Sequence, residues 1–167
     1  MELWKLREIR AVKIAQQGID MNELLKKYNE VNTFGRNLGL ELEVVKPGKV
    51  IYRMTVSEAH LSNPFAAHGG AIAAMMDGIL GVAALSLAVE FKKLVSTVEY
   101  KLNYYKPIEK GDQLRGVGEV IFEGKRLLSC EGKIYADNKD GVLVCSGLGT
   151  FNAYPAAKNQ LFSEYSG

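Results

Sequence analysis

The chain has 167 residues, 47% hydrophobic and 24% charged, which is enough to bury a core without disulfides and too apolar for a disordered chain. Its 21 Lys and Arg against 19 Asp and Glu leave a net charge of +2, which carries no electrostatic footprint for nucleic acid. Two cysteines, Cys130 and Cys145, and two histidines are too few for a disulfide scaffold and give no pattern for a Cys/His zinc site, so no metal is expected. The opening Met-Glu-Leu-Trp-Lys has neither the basic start nor the apolar run of a secretory signal. The expectation is a soluble cytoplasmic protein with reduced thiols.

Residues 1–36 read as helical. Leu3, Leu6, Ile9 and Ile14, then Met21, Leu24, Leu25, Tyr28 and Val31, recur at helical spacing, with Gly18 separating two helices and Asp20 as a cap for the second. Acids offset most of the basic residues here, as on a solvated amphipathic face. From residue 38 the period becomes two: Leu38, Leu40, Leu42 and Val44, the turn Pro47-Gly48, then Val50, Tyr52, Met54 and Val56 read as an antiparallel hairpin with one buried face. Residues 58–68 read as a loop.

The run from Ala71 to Val89 is broken only by Asp77 and Ser86 and is long enough to span a bilayer. A membrane span is rejected, because a carboxylate at that depth costs ~2.5–3.5 kcal/mol and amphipathic strands flank the run. A helix apolar all round in a soluble chain is buried on most sides. Four strands follow. Thr97 to Tyr104 has Val98, Tyr100, Leu102 and Tyr104 on one face and Thr97, Glu99, Lys101 and Asn103 on the other. Then come Leu114 to Phe122, a tight turn at Gly124-Lys125, Arg126 to Tyr135, a turn over residues 137–141, and Val142 to Phe151. The chain therefore divides into a helical extension at 1–36, a main domain at 37–154 and a loosely ordered tail at 155–167. The fold class is α+β, a curled antiparallel sheet around one long central helix.

The chemistry gathers on that helix. His68-Gly69-Gly70 stands at its start, where free N–H groups and the helix dipole suit a carbonyl oxygen gaining negative charge. The alternative is that the glycines merely open a crowded turn. Asp77 lies among Ala, Met, Ile and Leu, and must find partners, protonate or face a cavity. Thr97 is a strand threonine able to hold a water. Gly69 and Asp77 are eight positions apart, about 12 Å along one helix. Reacting groups meet at ~3 Å. If both act on one small centre, the site combines two chains, as in a symmetric dimer.

The stretch Asn63-Pro64-Phe65-Ala66-Ala67-His68-Gly69-Gly70, followed by Ala71 to Asp77, resembles the signature of hot-dog fold acyl-CoA thioesterases, closest to the phenylacetic-acid-degradation type related to 4-hydroxybenzoyl-CoA thioesterase. The similarity runs from about Phe34 to Tyr154 and includes Tyr104-Tyr105-Lys106-Pro107, Lys110-Gly111-Asp112 and Gly124-Lys125-Arg126. The span from Asn63 to His68 is one residue shorter than the family pattern. The resemblance implies that the Gly69 N–H polarises the thioester carbonyl. It implies that Asp77 is the nucleophile or general base, that Asn63 places the water or leaving thiolate, and that Thr97 orients the water. His68 and Gly70 complete the substrate-binding loop. Lys106, Lys125 and Arg126 are candidates for coenzyme A phosphates. Coenzyme A belongs to the substrate, so no cofactor is implied. The expected partners are an acyl-CoA and further copies of the chain, a dimer at least with a tetramer open, and neither nucleic acid nor membrane. Two other functions fit the same sequence: a non-catalytic acyl-CoA-binding regulator, and a hydratase or dehydratase of acyl thioesters using His68 with Asp77.

Overall fold

The computed structural model describes residues 21–158. The helix expected before Gly18, the Asp20 cap and the end of the tail lie outside them. Helix α1 is Met21–Val31, and a short helix α2, Thr33–Asn37, follows directly. Asn32 ends the first and starts the second: its Oδ1 accepts the Gly35 N–H at 2.9 Å. Leu25 anchors α1 in the same apolar core as the main domain.

Strands β1 (Glu41–Lys46) and β2 (Lys49–Thr55) form the expected hairpin, turning at Gly48 with φ +81°. Val50, Tyr52 and Met54 face inward and Arg53 outward, as the period-two pattern requires. The segment read as a loop is more ordered than expected. A 3-10 turn, Glu58–His60, leads into a miniature antiparallel pair, β3 (Leu61–Asn63) and β4 (Ala66–Ala67).

Helix α3, Gly69–Ala88, extends as a 3-10 turn through Phe91. By length and apolarity it passes for a membrane span, but two thirds of its most apolar stretch (67%) is buried within the protein. Strands β5 (Lys93–Tyr104), β6 (Gln113–Glu123), β7 (Leu127–Ala136) and β8 (Val142–Pro155) complete a six-stranded antiparallel sheet in the order β1-β2-β6-β7-β8-β5. β6, β7 and β8 are the expected meander. β5 is not its first member. The helix, about 30 Å long, carries the chain across the sheet, so β5 pairs with β8 and forms the far edge.

The helix lies so close to the sheet that several facing strand positions hold only glycine. A Cβ on Gly118 would stand 2.5 Å from the carbonyl oxygen of Ile79, and one on Gly132 would stand 2.6 Å from the sulfur of Met76. The one buried hydroxyl on the helix is satisfied: Ser86 donates to the Ala83 carbonyl and accepts the Gly48 N–H of the first hairpin, both at 2.9 Å. Cys130 and Cys145 are free and buried, and burial pushes their thiols up to about 12 and about 11.

Asp112 ties the β5–β6 connection to the β7–β8 turn. It accepts the Glu109 N–H and the Lys139 ammonium, each at 2.9 Å, and is only 2% exposed. Burial pushes its carboxyl upward, but the Glu109 amide, the Lys139 ammonium and the Asn138 side chain together hold it below the usual aspartate range.

Two measurements test these contacts. Gly118→Ala forces a methyl against helix backbone and is expected to cost about 1–3 kcal/mol in chemical denaturation. Because folding lowers the Asp112 pKa, its stabilisation is present above the unfolded aspartate value and disappears as pH falls through the folded one. Melting temperatures of the wild type should therefore fall on acidification below about pH 4 more steeply than those of Asp112→Asn.

Candidate active site

The site is built from the two ends of one constraint: helix α3 must start at the sheet rim and pass beneath β5. At its start His68 is the N-cap, and its Nδ1 accepts the Gly70 N–H at 2.8 Å. That bond fixes the imidazole with its proton on Nε2 and uses the Gly70 N–H. The Gly69 N–H makes no hydrogen bond among the described residues, and the glycine is exposed. Tyr104 donates to the Gly69 carbonyl at 2.9 Å, joining the helix start to the end of β5.

Two turns further on, Asp77 is half-buried. Thr97 donates to its Oδ1 at 3.1 Å, the one hydrogen bond to this carboxylate among the described residues. The face expected for Thr97 is corrected here. Thr97 pairs with Phe151 and Glu99 with Thr150, so Val98 is an extra residue, a β-bulge. The bulge turns Thr97 to the helix-facing side, shared with Tyr100, Leu102 and Tyr104, and leaves Glu99 on the other. Strict alternation places Thr97 with Glu99, and nothing in the residue types marks the bulge.

Beside Asp77 and Thr97 a cleft of about 280 Å³ opens. Its floor is one stripe of α3, Gly78, Gly81, Val82 and Leu85, and its strand wall includes Val95, Phe151 and Tyr154. Tyr28 of helix α1 also lines it. Burial, and then the negative charge of Asp77, raise the Tyr28 hydroxyl pKa above the ordinary tyrosine value. Behind the stripe, Tyr52 keeps a buried hydroxyl with no partner among the described residues. The helical spacing of α1 marked Tyr28 as an apolar-face residue; only the tertiary fold brings it to the carboxylate.

The other expected residues lie apart. Asn63 is exposed, and its Oδ1 accepts the N–H groups of Phe65 at 2.9 Å and Ala66 at 3.1 Å, shaping the β3–β4 turn. Lys106 follows the end of β5, whereas the β6–β7 hairpin bearing Lys125 and Arg126 lies by its start, where Lys93 donates to the Lys125 carbonyl. A twelve-residue strand spans roughly 35 Å, so one chain does not bring these three cations together. Among the described residues no group of three His, Cys, Asp or Glu is placed to hold a metal.

A sequence model of the thioesterase superfamily matches residues 66–143. Human acyl-coenzyme A thioesterase 13 is 31% identical over 108 residues, 64% of this chain and 76% of that protein. The crystal structure of a thioesterase family protein from Silicibacter pomeroyi superposes with a TM-score of 0.73 at 25% identity, covering 81% of this chain and 99% of the other. The PaaI protein of the E. coli phenylacetic acid degradation operon superposes with a TM-score of 0.70 at 17% identity, covering 80% and 93%.

The Asn63 turn predicts a separable effect. Asn63→Asp retains the acceptor for both amides and is expected to melt within a few degrees of the wild type. Asn63→Ala should lose ~1 kcal/mol of stability by thermal or chemical denaturation.

Proposed function

Because this chain belongs to the thioesterase superfamily of hot-dog proteins and is a thioester hydrolase, we propose that it hydrolyses acyl-coenzyme A, with Asp77 as the general base and the Gly69 N–H as the oxyanion donor. The observation that carries this reading is Asp77 itself: a carboxylate on an otherwise apolar helix, held at one oxygen by Thr97 and opening onto an apolar cleft. A structural aspartate at that place would spend both oxygens on the protein.

The reaction needs little else. Asp77 takes a proton from water as the water oxygen bonds to the thioester carbonyl carbon. The carbonyl oxygen gains charge against the Gly69 N–H at the positive end of α3. The carbon–sulfur bond then breaks, the thiolate leaves and the proton passes to it. A thiolate is a good leaving group, so no separate acid is required. The apolar cleft beside Asp77 takes the acyl group, and coenzyme A extends outward.

Gly69 and Asp77 stand about 12 Å apart along one rigid helix, so the working site pairs Gly69 of one protomer with Asp77 of another. The sheet supports such a dimer. β5 is an edge strand, with no neighbour on its outer side among the described residues, and Val98, Tyr100 and Tyr104 on it are exposed in the single chain.

Subunit mixing tests both parts. Asp77→Asn is expected to lower thiol release from acyl-CoA by ~10²–10⁴-fold. Gly69→Pro removes the other group at the first helical position, where proline fits, behind a His68 backbone already extended at ψ 131°. Each variant alone should be inactive. Refolded together in equal amounts they should recover about a quarter of wild-type activity, since half the dimers carry one intact site. No recovery would place both groups' work within one chain. No thiol release from any acyl-CoA by the wild type would sink the reading.

A further inference from the structure

Helix α1 lies outside the residues matched by the superfamily model, yet it reaches the reaction centre. Its Leu25 is buried in the common core, and its Tyr28 shares the cleft with Asp77 and Thr97. The Tyr28 hydroxyl accepts from the Asn32 side chain at 3.4 Å, and Asn32 is itself pinned by the Gly35 N–H. The ring is thus held at both ends, one by the core and one by the α1–α2 junction. The negative charge of Asp77 is close enough to act on that hydroxyl.

The cleft has a definite size. From Asp77 to Leu85 the floor runs eight residues, about 12 Å. Its volume of about 280 Å³ lies just below the ~300–1,000 Å³ span of ligand pockets. Two of the floor positions are glycines inside a helix, a choice that weakens the helix unless the space is wanted. The space is available: a Cβ on Gly81 would only touch the Phe151 ring at 3.4 Å, and one on Gly78 would stand 3.6 Å from Leu40. These glycines differ from Gly118 and Gly132, where a methyl has no room.

We propose that Tyr28 of helix α1 is the wall that limits the acyl cleft, so that the enzyme takes a medium-length acyl chain or a single aromatic ring and rejects long chains. The inference rests on the reading of Asp77 as the hydrolytic carboxylate. The phenol ring acts by its bulk, since its hydroxyl is engaged with Asn32. Removing the ring adds the ring's own volume to the cleft it lines and admits further methylenes, each worth a factor of ~10 or more in kcat/KM within an apolar pocket.

The test measures kcat/KM by thiol release from hexanoyl-, phenylacetyl- and palmitoyl-CoA. The wild type should favour the first two. Tyr28→Ala should raise the palmitoyl-to-hexanoyl ratio by at least about tenfold. Tyr28→Phe should keep the wild-type ratio. Tyr28→Leu, which preserves apolar packing on α1, should move the ratio in the same direction as alanine and serves if the alanine variant does not fold. Gly81→Ala adds a methyl beside Phe151 and should lower the phenylacetyl and palmitoyl values relative to hexanoyl without lowering the melting temperature. If wild-type activity is present and neither Tyr28→Ala nor Tyr28→Leu changes the ratio by more than about twofold, Tyr28 is no wall and the inference falls while the hydrolase reading stands. A shift in Tyr28→Phe equal to that in Tyr28→Ala also overturns it, because bulk is then not the cause. Silence of the wild type on all three substrates overturns the inference, and the hydrolase reading falls with it only if no other acyl-CoA releases thiol.

Discussion

The contact on which everything else depends is the one between helix α3 and the inner face of the sheet. A twenty-residue helix without a polar stripe has to be enclosed, and a sheet encloses it only by bending round it at close range. The close range is bought with side chains: glycine stands where β6 and β7 pass over Ile79 and Met76. Once the helix is enclosed, its position dictates the rest. Its start emerges directly after β4, and Asp77 emerges beneath the bulge of β5. The polar residues of this region are therefore placed by packing rather than by loops, which suits a site that must hold its geometry.

Much of this was legible in the chain. The alternation of Val50, Tyr52 and Met54, the turn at Gly48 and the uninterrupted apolar run around Asp77 each follow from one local periodicity, and each element formed where that periodicity put it. The carboxylate stood out because a charge in such a run is costly and so has to be explained. What stayed hidden was whatever depended on distant partners. The strand order could not be read, because the residues of β5 look alike whether they pair with β6 or with β8. The bulge at Val98 could not be read either, since one extra residue leaves the composition unchanged and yet reverses the face of Thr97. Tyr28 looked like any other member of an amphipathic stripe. Asn63 was visible as a polar residue near the glycines, but its bonds to Phe65 and Ala66 depend on a turn that alternation does not reveal.

The two halves of the candidate site also differ in how they are held. The start of α3 is fixed by short-range bonds, His68 to Gly70 and Tyr104 to Gly69, so it stays in place as long as the end of β5 does. The carboxylate is fixed by one hydroxyl from the same strand at its other end. β5 thus touches both groups while lying at the open edge of the sheet. An edge strand is the least restrained part of a sheet until something pairs with it. Pairing of a second copy along this edge, as the proposed dimer requires, would tighten the two groups together.

The bond between Ser86 and the Gly48 amide has a consequence for how the chain finds its alignment. Strands can slide past one another by two residues and still present the same faces, so burial alone does not lock a hairpin lengthwise. Here the hairpin's tip is fastened to a fixed rung of the helix. A slipped β1–β2 pair would strand the buried Gly48 amide away from water, at a cost of ~1–3 kcal/mol, while the Ser86 hydroxyl would keep its bond to the Ala83 carbonyl. One serine thereby acts as a ruler, measuring where the first two strands must stop.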